Sequence, residues 1–127
     1  MAAMTLYSPF KGSSGVKRIL NATQYSLSGF KAAFAHEAAF RQVLWINLIL
    51  IPVSFLCDVS RFEQALMVAV CLLALIVELF NSAIEAVVDR ISLERHELSK
   101  NAKDMGSAAQ FVSLSMIFIV WLFILIP

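Results

Sequence analysis

An apolar run begins near Ala65 and does not end cleanly. It passes into Glu78-Leu-Phe-Asn81-Ser-Ala-Ile-Glu85-Ala-Val-Val-Asp89-Arg90. On a helix, Glu78, Asn81, Glu85 and Asp89 fall within an arc of roughly 80°. The result is a polar stripe on an otherwise greasy rod. A carboxylate inside a bilayer costs at least about 2.5–3.5 kcal/mol, which makes each one a functional candidate. Neighbouring carboxylates also repel, so a cation is expected between them, either Lys/Arg or a divalent metal.

The rest of the chain makes the membrane reading hard to avoid. Of its 127 residues, 60% are apolar and only 15% charged, whereas soluble domains are nearer half and a quarter. The expectation is an all-α membrane protein of one domain. Such a small chain encloses no large cavity alone, which points to an oligomer. The net charge of +1 says nothing about nucleic acid, no basic stripe supports such a partner, and none is expected. Cys57 and Cys71 sit in apolar runs and read as buried free thiols rather than a disulfide pair. No signal peptide is legible at the start.

Residues 1–15 carry Pro9, Gly12, Ser13, Ser14 and Gly15 and read as a loose tail. Gly12-Ser-Ser-Gly15 lacks the spacing and trailing Lys-Ser/Thr of a phosphate loop. Residues 16–40 are amphipathic. Ile19, Leu20, Leu27, Phe30 and Phe34 alternate with Lys17, Arg18, Gln24, Lys31 and Glu37. This predicts a helix on the membrane surface, divided near Gly29. Spans are expected over about 42–57, with a kink at Pro52, over 64–89, and over 105–127, joined by a loop over 91–101. The Ala/Phe-rich residues before Arg41 are available to lengthen the first span. Five Lys/Arg precede the first span, one follows it, four lie between the last two, and none ends the chain. The positive-inside rule therefore places the N-terminus and the acidic end of the second span in the cytoplasm.

The strong polar groups gather on that side: Arg18, Glu37, Arg41, the acidic stripe, and Lys103-Asp104 opening the third span. Interfacial phosphoryl transfer requires a carboxylate base, oxygen ligands for Mg²⁺, and cations around the phosphates. Glu78 lies deepest, where a lipid hydroxyl would reach it. Glu85, two turns nearer water, suits a metal, and Glu37 would complete that site. Lys103 and Arg18 suit phosphates. An ion pair with Lys103 is the best purely structural account of Glu78. Asp89 with Arg90 fits a helix end at the interface as well as a direct role. Glu94 and Glu97 read as solvated loop residues, and His36 and His96 lack metal-ligand spacing. A small oligomeric transporter is the competing class, but its path needs polar groups at several depths in more than one span. The third span offers Ser107, Gln110, Ser113 and Ser115, all in its cytoplasmic half, and the first offers Asn47 and Ser54.

The run from Glu78 to Arg90, with His96-Glu-Leu-Ser99, Ala102-Lys-Asp-Met-Gly-Ser-Ala-Ala109 and Glu37-Ala-Ala-Phe-Arg-Gln42, resembles the small bacterial integral-membrane diacylglycerol kinases. The resemblance spans roughly residues 16–127. It implies an inner-membrane homotrimer with sites shared between subunits, using Mg-ATP to convert diacylglycerol to phosphatidic acid. Carried over, Glu78 is the expected base and Asn81 orders the catalytic stripe. Glu37 and Glu85 are expected on the metal. Arg18, Tyr25, Glu37, Glu85, Glu94, His96, Lys103 and Asp104 are expected around ATP. Arg18, Ser26, Lys31, Arg41, Glu78 and Ser107 are expected to meet the lipid. The chain departs from the family pattern over residues 1–15, at Asn21, where a lysine is common, and at Leu27, where a tryptophan is common. Lys17 is the candidate to replace the missing charge. A sister branch that phosphorylates undecaprenol carries an alanine-rich variant after Lys-Asp. Met105-Gly106-Ser107 here favours the diacylglycerol branch.

Overall fold

The computed structural model describes residues 14–127, and in these every regular element is helical. The helices are α1 (Gly15–His36), α2 (Ala38–Leu56), α3 (Arg61–Ile91) and α4 (Glu97–Leu125). Most of the expected tail, residues 1–13, lies outside the described residues. The last three helices are long and apolar enough to cross a membrane. At 1.5 Å per residue, α3 is about 46 Å long and α4 about 43 Å, against a hydrocarbon core of about 30 Å. Both therefore run well beyond the apolar layer.

Three contacts set the α3–α4 register. Asp89 meets Lys103, Glu78 meets Gln110, and Met67 meets Trp121. The partners advance in opposite directions, so the two helices are antiparallel. Their far half is a dry core of Val43, Met67, Val70, Cys71, Ala74, Ile117 and Trp121, to which α2 contributes Val43. The Trp121 indole Nε1–H donates to the Met67 carbonyl at 3.2 Å, which satisfies the polar end of a buried aromatic. Cys71 is buried, Cys57 half-buried, and both are free thiols.

Local chemistry explains the helix ends. Ser60 caps α3 in a reciprocal capping box. Its Oγ accepts from the Glu63 N–H at 3.1 Å, and the Glu63 carboxylate accepts from the Ser60 N–H at 3.2 Å. The surface helix does not divide at Gly29. It runs unbroken to His36, because one helical glycine costs only about 1 kcal/mol. The break comes at Glu37, which is extended at φ −118°, ψ 104° and serves both as C-cap of α1 and N-cap of α2. Arg41 holds this bend by donating to the Phe34 carbonyl at 2.6 Å and the Ala35 carbonyl at 3.4 Å. These are terminal carbonyls that the helix leaves unpaired. The Phe30 and Phe40 rings pack across the bend, 6.5 Å apart. The first span accordingly begins at Ala38, using the Ala/Phe residues before Arg41, and continues through Pro52.

The connection after α3 is shorter than expected. The helix lasts to Ile91, and α4 begins at Glu97, so residues 92–96 alone form the loop. His96 sets the start of α4 by accepting the Leu98 N–H on Nδ1 at 3.1 Å. Glu97, expected in the loop, lies in the first helical turn.

Candidate active site

The acidic stripe of α3 is graded by depth. Glu78 is 2% exposed, Asn81 and Glu85 are half-buried, and Asp89 is open to solvent. The grade follows from helix geometry. One turn of α3 after another rises out of the contact with α4, so equally polar residues meet progressively more water. Glu78 keeps its place by pairing. Gln110 Nε2–H donates to its Oε2 at 2.9 Å. Both Glu85 and Glu37 lie within electrostatic range of the Glu78 carboxyl. Lys103 bonds Asp89 at 2.7 Å rather than Glu78, which removes the structural ion pair as an account of the buried carboxyl.

Asn81 packs on α4 at Gly106. A Cβ on Gly106 would overlap the Asn81 side-chain oxygen, so only glycine admits this approach. Asn81 Oδ1 and the neighbouring Ser82 Oγ are buried and have no hydrogen-bond partner among the described residues. Buried polar groups without partners are uncommon. Here two of them stand within a turn of the buried carboxyl.

Toward water the α3–α4 seam opens into a cleft of about 910 Å³, lined by Asp89, Glu94, Arg95, His96, Lys103 and Asp104 together with neighbouring residues of the loop and of both helices. Four expected nucleotide residues thus share one cleft: Glu94, His96, Lys103 and Asp104. Two of them also hold local structure. His96 caps α4, and Asp104 pairs with Lys100 at 2.5 Å. The Glu94 N–H donates to Ser92 Oγ at 3.0 Å, shaping the loop. Ser107 faces outward one residue beyond Gly106.

The remaining expected residues lie on or beside α1. Arg18, Tyr25, Ser26 and Lys31 are exposed along it, and none lines the cleft. Ser26 Oγ–H donates to the Ala22 carbonyl at 2.9 Å. Only Ala33 of α1 is buried, so this helix leans on the bundle near its C-terminal end. Arg18 stands about 28 Å along the helix axis from Glu37. Arg41 points its guanidinium into the α1 carbonyls. Among the described residues, no three His, Cys, Asp or Glu side chains come together as a metal site.

Two residues beside Glu78 were outside the expected set. Gln110 and Ser113 are both buried, and they lie three residues apart on the α4 face turned toward α3. A glutamine within an apolar run, followed at helical spacing by a serine, was the available signal. Its meaning depended on the register with α3.

The chain as a whole is similar to known proteins. The family model for prokaryotic diacylglycerol kinase matches residues 24–125. A protein of Pseudomonas aeruginosa named diacylglycerol kinase is 73% identical over 119 residues, 94% of this chain and 97% of that one. Proteins of the same name from Haemophilus influenzae and Escherichia coli K12 are 48% and 45% identical. They cover 85% and 88% of this chain and 92% of their own lengths. The conclusion is direct: this three-span membrane protein belongs to the prokaryotic diacylglycerol kinase family.

Proposed function

We propose that this chain transfers the γ-phosphoryl group of ATP to the free hydroxyl of diacylglycerol, at the cytoplasmic face of the bacterial inner membrane. The observation that carries the reading is Glu78. It is a carboxylate 2% exposed on a membrane helix, at the inner end of a polar stripe that leads to an open cleft lined by charged residues. A lipid hydroxyl approaches from the bilayer and a nucleotide from water, and this is where the two environments meet. The family name of the relatives supports both the reaction and the lipid.

Glu78 acts as general base, accepting the hydroxyl proton as the oxygen bonds to the γ-phosphorus and the bond from that phosphorus to the bridging oxygen breaks, releasing ADP. Asn81, whose side-chain oxygen has no partner among the described residues, orders the attacking group. Lys103, Glu94, His96 and Asp104 surround the nucleotide from the cleft, joined by Arg18 and Tyr25. Glu37 and Glu85 would hold Mg²⁺. Two carboxylates fit this ion, which takes its other ligands from phosphate and water rather than from an all-protein cage. When bound, it neutralises charge on the phosphates. Ser26, Lys31, Arg41 and Ser107 border the lipid.

Arg18 and Tyr25 are remote from the cleft of their own subunit. Their assignment therefore goes with a homotrimer in which α1 of one subunit serves a neighbour. An α1 that buries only Ala33 is a helix short of partners, and this supports the shared arrangement. The domain reading is one kinase unit over 16–127 preceded by a tail.

The test is transfer of labelled γ-phosphate from Mg-ATP in mixed micelles, with diacylglycerol and undecaprenol side by side. Preferential labelling of diacylglycerol is expected. Preferential labelling of undecaprenol would keep the chemistry and overturn the lipid assignment. Labelling of neither by folded protein would favour a transporter.

A further inference from the structure

We infer that Gln110 is a positioning residue for the base Glu78, and that Ser113 fixes the face Gln110 presents. The inference rests on the assignment of Glu78 as base.

Gln110 is 8% exposed and Ser113 2%. The Gln110 amide nitrogen faces two acceptors, Glu78 Oε2 at 2.9 Å and the Ala74 carbonyl at 3.2 Å. Its amide oxygen accepts from the Ser113 hydroxyl, which is also 3.0 Å from the Gln110 carbonyl. A primary amide has two donor hydrogens on one end and only lone pairs on the other. Turned over, it would set its oxygen against two further oxygens and abandon the serine proton. The two acceptors, Glu78 Oε2 and the Ala74 carbonyl, therefore give the amide one orientation, and the Ser113 hydroxyl holds its oxygen end.

The consequence for Glu78 is geometric. A carboxylate on a flexible side chain offers two equivalent oxygens. Anchoring Oε2 through α4 makes them unequal and leaves Oε1 to receive a proton. The Ala74 carbonyl, one turn earlier on α3, ties the same amide to the backbone that carries Glu78. The carboxyl is thus held from two helices rather than by its own rotamer. Reacting groups misplaced by about 1 Å lose substantial rate, so the anchor should act on turnover rather than on substrate binding.

Gln110→Met keeps length and removes both amide ends. It should lower kcat roughly tenfold, the scale expected when one hydrogen bond that aligns the base is lost, with KM for Mg-ATP and for lipid unchanged. Ser113→Ala should lower kcat in the native background and have no further effect when Gln110 is already Met. A merely structural pair would instead lower thermal stability in step with activity. An unchanged kcat in Gln110→Met, or the same Ser113→Ala loss in both backgrounds, would overturn the inference. Glu78→Gln run in parallel separates the two readings. If it is inactive while Gln110→Met is unaffected, the positioning role alone falls. If it turns over normally, the base assignment falls and takes the role of Gln110 with it.

Discussion

The α3–α4 seam is built differently at its two ends. Around Met67, Cys71, Ile117 and Trp121 it is dry, close-packed and apolar, with one indole hydrogen bond crossing it. Around Glu78, Asn81, Lys103 and Asp89 it is polar, graded from buried to open, and includes two buried oxygens that lack partners among the described residues. The same two helices supply both ends. The difference teaches how a small bundle holds a costly site. A polar end of this kind contributes little stability, because a buried carboxyl offsets much of what its hydrogen bond contributes. The dry end fixes the register, and the register is what sets Gln110 opposite Glu78 and Gly106 opposite Asn81.

Substitutions should separate the two ends cleanly. Glu78→Gln should reduce phosphoryl transfer by about 10²–10⁴-fold, the usual contribution of a general base. Its thermal stability should be equal or higher, since a buried charge has been removed. Turnover measured beside thermal unfolding in detergent checks both halves, and a loss of activity explained by unfolding would break the comparison. Trp121→Ala should do the reverse. Truncating a buried aromatic costs about 3–5 kcal/mol, read from denaturant unfolding, while kcat per folded molecule stays near the native value. A large kcat defect in the folded fraction would mean that the dry end also takes part in chemistry.

The same contrast shows which features were legible in the chain. The three spans follow from hydropathy, and the stripe from Glu78 to Asp89 follows from helical periodicity, because both are local properties. The helix bounds were harder. Gly29 looks like a break but stays helical, whereas Glu37 is the break because Arg41 reaches back to the α1 carbonyls. The loop over 91–101 shrank to residues 92–96, because the first two turns of α4 are polar helix, which hydropathy reads as loop. Gln110 was visible as a polar residue in an apolar span. Its bond to Glu78, 32 residues away in the chain, is a property of register that no local pattern carries.

Gly106 tests that register at the scale of one methyl group. Gly106→Ala should favour the helix by up to about 1 kcal/mol on intrinsic propensity. The added Cβ nevertheless meets the Asn81 side-chain oxygen, so Asn81 must swing aside. The expected result is little net change in stability and a fall in kcat of about 10²-fold, the scale of loss reported for a 1 Å misplacement. Native turnover in this variant would show that Asn81 does not need its position against α4.

The smallest effect belongs at the open mouth, where Asp89 and Lys103 form a pair 2.7 Å apart with both side chains nearly half exposed. Pairs of this kind contribute about 0–1 kcal/mol. Asp89→Asn should therefore leave the unfolding midpoint almost unmoved. Its effect should fall on the nucleotide, because the pair holds the Lys103 ammonium at the edge of the cleft and the variant lets it roam. KM for Mg-ATP should rise by no more than about fivefold, the equivalent of 1 kcal/mol, with kcat unchanged. Salt screens exposed pairs, so raising ionic strength should erode the difference between the two proteins. A difference that persists in high salt would mean that Asp89 acts on the nucleotide directly rather than through Lys103.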